Sequence, residues 1–115
     1  MAETVIWKID TYKIFQYGHT FSYAGKDVRA MIVLYEEDGP REVYIYFSLE
    51  GDLPATHAAG DRVITWFPYH QFAPLMEMLR DEEPIFAHHL TTSNTSLIAV
   101  ATSEEPVGEG EVHLG

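Results

Sequence analysis

Two neighbouring runs restrict the fold more than any other part of the chain. Val28 to Tyr35 is nearly all apolar, with Ala30, Met31, Ile32, Val33 and Leu34 in succession. Arg41 to Leu49 alternates, with Val43, Ile45, Phe47 and Leu49 on one side and Tyr44, Tyr46 and Ser48 on the other. Between them stands Glu36-Glu37-Asp38-Gly39-Pro40, charged and closed by glycine and proline, which is a turn signal. Two such runs around a short loop predict an antiparallel hairpin. The continuous run also predicts a strand covered on both faces.

Other strands follow from the same alternation. Thr4 to Ile9 places Val5, Trp7 and Ile9 on one face, but Tyr12 and Ile14 continue the apolar set on even positions. A one-residue shift exchanges the faces of a strand, so a bulge or break is expected near Asp10-Thr11. Tyr17-Gly18-His19 and Ala24-Gly25-Lys26-Asp27 read as turns, with a short strand from Thr20 to Tyr23 between them. Further strands are expected over Arg62 to Phe67, Ile85 to Leu90 and Leu97 to Thr102. The stretch from Glu50 to Asp61 reads as a long irregular loop, because Gly51, Pro54 and Gly60 break both periodicities.

One segment changes period. Phe72, Leu75, Met76 and Leu79 stand at i, i+3, i+4 and i+7, which predicts one helix over about residues 71–81. Tyr69-His70 would form the lead-in turn. Pro74 is tolerable only in the first turn, and Pro84 cannot continue the helix. The expected class is α+β. It is a mainly antiparallel sheet of about six strands, with the helix packed on one face and inserted before the last two strands. Residues 1–102 would form a single domain. Residues 103–115 form an acidic, glycine-rich tail that is expected to fray.

One helix with four apolar contacts cannot cover both faces of such a sheet. Tyr44, Tyr46 and Trp66 need cover on the side away from Ile45, Phe47 and Phe67. Curling into a barrel, a bound ligand or a second copy could supply it. Closed two-fold dimers are the commonest homo-oligomers, so a homodimer is expected, with Tyr46 in its sheet-face interface.

Composition excludes several chemistries. The chain has 115 residues and no cysteine, which removes thiol nucleophiles, zinc–thiolate sites, iron–sulfur clusters and disulfides. Seven basic against 18 acidic residues leave a net charge of −11. That field disfavours nucleic acid and anionic membrane surfaces and is compatible with a basic protein partner. The first residues do not resemble a secretory signal, and no apolar run is long enough to span a bilayer. A cytoplasmic, soluble protein is therefore expected.

Few residues could carry chemistry. His88-His89 is a doubled histidine, but neighbours on a strand point to opposite faces and cannot share one metal. A strand-end role, one ring packed and one solvated, is the plainer reading. The Asp52–Asp61 loop brings Thr56 and His57 between two carboxylates, and a histidine near a carboxylate can act as a general base. No nucleophile elbow accompanies it, so a surface connection is favoured. No Walker loop, G-x-G-x-x-G, H-E-x-x-H or calcium loop is present, and no metal or cofactor is expected. Tyr23, Tyr44, Tyr46 and Trp66 could stack on bases or sugars, but the companion basic groove is missing. Core or interface packing is the better use of these rings.

The sequence thus favours a non-enzymatic dimeric interaction or regulatory module. The alternative is a small-ligand or enzymatic pocket lined by Trp66, Tyr44 and Tyr46 and edged by His57 or His88. A third reading is an acidic decoy for a basic partner.

Overall fold

A computed structural model describes residues 3–92 and 96–102. Seven strands form one sheet: β1 Glu3–Tyr23, β2 Lys26–Glu36, β3 Glu42–Ser48, β4 His57–Ala59, β5 Arg62–Pro68, β6 Ile85–Thr91 and β7 Ser96–Thr102. A 3-10 turn, Tyr69–Gln71, leads into the helix α1, Phe72–Asp81. The spatial order is β4-β5-β3-β2-β1-β6-β7.

The β2–β3 hairpin is present, antiparallel, in the register Ala30↔Phe47, Ile32↔Ile45 and Leu34↔Val43. Those side chains all belong to one buried cluster beneath α1. Glu36 closes the turn. Its backbone N–H donates to the Arg41 carbonyl at 3.0 Å, and its carboxylate accepts from the Arg41 backbone N–H and guanidinium, each at 3.2 Å. Phe47 is fully buried, edge-on to Phe67 and Phe72. Burying a ring of this size stabilises by roughly 1.5–3 kcal/mol. The helix buries Phe72, Leu75 and Leu79, as its apolar stripe requires, and Pro74 occupies its first turn. Glu82 is already extended, so the helix stops before Pro84.

Three expectations change. The sheet has seven strands and is mixed, because β5 lies parallel to β3 in the register Val43↔Val63, Ile45↔Thr65 and Phe47↔Phe67. A parallel neighbour needs a crossover rather than a tight turn. Here the Leu49–Asp61 stretch makes it, and it is not wholly irregular, since it contains β4, antiparallel to β5. The expected turn at Tyr17-Gly18-His19 does not form either. β1 runs on as one 21-residue strand, and its pairing with β2 jumps between Gln16 and Phe21. Tyr17 to Thr20 stand opposite Arg29 in a wide bulge that re-aims the distal hairpin. The smaller shift expected near Asp10-Thr11 does occur, between Ile9 and Thr11.

The sheet curls. Val63 of β5 and Ile98 of β7 share one buried cluster although their strands stand near opposite ends of the order. Trp7, Ile32, Ile45 and Ile85 complete that concave core with the helix. Among the described residues no helix is long and apolar enough to cross a membrane. The tail expected to fray, residues 103–115, lies outside the described residues, as do residues 93–95 of the turn expected over Thr91 to Thr95.

Candidate functional site: an aromatic face and an open strand edge

On the convex face, the parallel register sets Tyr44 beside Ile64 and Tyr46 beside Trp66. The Tyr46 and Trp66 ring centroids are 5.2 Å apart. Tyr23, from the far end of β1, stacks on Tyr46 at 4.7 Å and reaches Trp66 at 6.0 Å. Tyr17 and Leu53 pack against the same group. The hairpin end is tied down nearby: the Asp27 backbone N–H donates to the Glu50 carboxylate at 2.6 Å, and the Lys26 ammonium donates to the Gly51 carbonyl at 3.3 Å.

Tyr46 and Trp66 are consequently only 9% and 7% exposed. The chain covers this part of its second face by folding its own long hairpin over it. Burial and the neighbouring Tyr23, Tyr17 and Tyr44 push the Tyr46 phenol above its ordinary value, and burial does the same for Tyr17. Both phenols therefore stay neutral near pH 7, and neither is an activated base. Tyr44 carries the Arg62 guanidinium 4.3 Å above its ring, and Arg62 also bonds Glu42 at 3.3 Å.

The histidines do not converge on these rings. His57 opens β4 opposite Ile64, so it stands on the aromatic face, but it is exposed at the sheet margin. Its neighbour Thr56 shares a 2.6 Å hydroxyl–hydroxyl hydrogen bond with the buried Thr65, a structural use. His88 sits on β6 opposite Ile6, three strands from β3, which is roughly 14 Å at the usual strand spacing. His89 turns to the other face, edge-on to Trp7 at 6.4 Å, and its Nε2 meets the Ser96 hydroxyl at 2.8 Å. Burial lowers its proton affinity, and Glu3 opposes this in part. Of the five candidates, Tyr44, Tyr46, Trp66 and His57 share a face, and His88 stands apart. Among the described residues no group of three or more histidines and carboxylates could hold a metal ion.

The feature that sequence reasoning missed is an edge. β6 pairs with β1 only from Glu3 to Ile9. Beyond Ile9, β1 pairs with β2 on one side and with no described strand on the other. Tyr12 and Ile14 stand on this free stretch, each 37% exposed, and Phe21 and Tyr23 follow further along. No carboxylate occurs between Asp10 and Asp27, although the chain has 18 acidic residues. That gap, under a run of alternating apolar residues, was the available signal.

No family model, curated protein or solved structure matches the chain.

Proposed function

We propose that the protein is a non-enzymatic interaction module that self-associates through the open edge of β1. One observation carries this reading: a regular strand stretch, Thr11 to Gln16, offers exposed apolar side chains together with main-chain groups that, on the side away from β2, pair with no strand among the described residues. It spans about 20 Å, a typical strand length. An exposed apolar edge of this kind is a template for another chain. Natural edges are blunted by inward charges or proline, and this one has only Lys13. The stretch itself carries no carboxylate, which lowers repulsion at its centre, while Asp10, Glu37, Glu82 and Glu83 gather beside its Tyr12 end.

A two-fold pairing with Ile14 on the axis fits the chemistry best. It keeps the two Lys13 ammonium groups off the axis and sets each Lys13 opposite Phe15 of the other copy. Within one chain Lys13 already lies 5.6 Å from the Phe15 ring centre. The same two-fold joins two curled sheets into one continuous sheet, with isologous contacts.

Molar mass by light scattering tests this. The wild type should show a mass twice 13.1 kDa. Ile14→Lys, at an exposed position, should give a folded monomer with unchanged far-UV circular dichroism. A monomeric wild type, or a dimer indifferent to Ile14→Lys, would remove the edge from consideration.

A further inference from the structure

The curled sheet stops short of closing. β7 ends one side of the strand order, and its outer edge pairs with no strand among the described residues. On the far side, β4 pairs with β5 only at Arg62, Val63 and Ile64, so β5 continues past β4 toward Pro68. A groove of about 420 Å³ lies between these two regions. Phe67 lines it from β5, Ile98 and Val100 from β7, and Leu75 and Met78 from α1. No charged side chain lines it. Past Pro74 and Met78 it continues into a second cleft, lined by Glu77, Asp81 and Glu82. Asp81 is 3.6 Å from Arg80, whereas Glu77 and Glu82 have no ion pair among the described residues.

We infer that this groove binds an extended segment of a partner protein, apolar at alternate positions and bearing lysine or arginine, added to the β7 edge. Strand addition satisfies main-chain groups along the edge, while alternate side chains enter the groove beside it. Ile98 and Val100 both face the groove because they are two residues apart, and an added strand would present its own side chains with the same period. Met78 is unbranched and adapts to side chains of different shape. The carboxylates at the helix end select the sign of the partner. Three acids with one paired base, on a chain of net charge −11, attract a cationic segment and repel an anionic one. The apolar groove shares no residue with the β1 edge, and Glu82 alone lines both the acidic cleft and the cleft beside Tyr12, so the charge test uses Glu77 and Asp81 instead.

The experiment uses the full chain and three synthetic peptides: alternating valine and lysine, alternating valine and glutamate, and a blocked sequence of the first composition. Binding is read by fluorescence anisotropy and by amide shifts in the protein. The alternating basic peptide should bind saturably and shift Phe67, Met78 and Ile98 to Val100. The acidic and blocked peptides should bind at least tenfold more weakly. Met78→Asp should abolish binding. Glu77→Lys combined with Asp81→Lys, both exposed and safe for folding, should weaken it at least tenfold. Equal affinity for the basic and blocked peptides, shifts confined to Thr11 to Gln16, or no saturable binding would overturn the inference. Contacts from residues 103–115 to Met78 in the free chain would also overturn it, by showing that the chain fills the groove itself.

Discussion

His89 shows how much one register position decides. It stands opposite Val5 and Ile98, so its ring turns to the concave side against Trp7, while His88 turns outward. The sequence showed that the two rings must diverge, because neighbouring strand residues always do. It did not show which ring is packed, because that depends on the long-range partners of β6. The same limit explains the candidate site. Alternation alone put Tyr44 and Tyr46 on one face, and Trp66 joined them through a parallel register. His88 was grouped with them only because strand order is invisible in a local pattern. The packed ring has a measurable consequence. Burial lowers the affinity of folded His89 for a proton, with Glu3 opposing in part. The unfolded chain therefore binds that proton more tightly. The stability from neutral His89 is full above the ordinary imidazole value, about 6.5, and is lost as pH falls toward the lower folded value. His89→Gln preserves a partner for Ser96 and removes the titration. Chemical unfolding at pH 7 and pH 5 should show the wild type losing more stability than the variant. Parallel pH dependences would show that the ring is not held away from water.

At the scale of elements, the sequence was reliable where a pattern was local and misleading where partners were remote. The β2–β3 hairpin, α1 and the shift near Asp10-Thr11 all come from contiguous patterns. Gly18 looked like a turn because glycine permits positive φ, but among the described residues the glycines that take positive φ are Gly25 and Gly60. β1 instead absorbs the Tyr17–Thr20 stretch as a bulge, which costs little on a strand with one free edge. β4 was missed because three exposed residues, His57-Ala58-Ala59, carry no periodicity. The true hairpin turn after β1 is Ala24-Gly25, with φ of 53° and 78°. Positive φ at both central residues is the type I′ geometry, whose preferred first residue is asparagine rather than alanine. An L-residue with a β-carbon and no local hydrogen bond is strained there by about 1–2 kcal/mol. Ala24→Asn should therefore raise the unfolding free energy by about 1 kcal/mol in urea titration, with an unchanged denaturant slope. A loss of stability would mean that the distal hairpin is not held in this turn.

For the molecule as a whole, the α+β class with its helix on one face was legible, because a single period change in a strand-rich chain leaves few alternatives. The curl was not, and neither was the way the distal hairpin folds back so that Tyr23 covers Tyr46 and Trp66. Both depend on how a twisted sheet curls over long range, which no short window encodes. Intramolecular cover moves the case for self-association from the aromatic face to the β1 edge, and net charge then separates the two proposed contacts. Pairing two chains of net charge −11 works against their repulsion. Seating a lysine-rich segment near Glu77, Asp81 and Glu82 works with attraction. Salt screens both, since the Debye length shrinks from about 30 Å at 0.01 M to about 10 Å at 0.1 M. Added salt should therefore tighten dimerisation while weakening the peptide complex. Sedimentation equilibrium and anisotropy, run over the same salt series, should give dissociation constants that move in opposite directions. If both weaken with salt, the dimer is held by charge pairs, and the carboxylate-free strip of β1 is not its centre. If both tighten, the peptide is held by apolar contact alone, and the acidic end of the groove plays no part in choosing it.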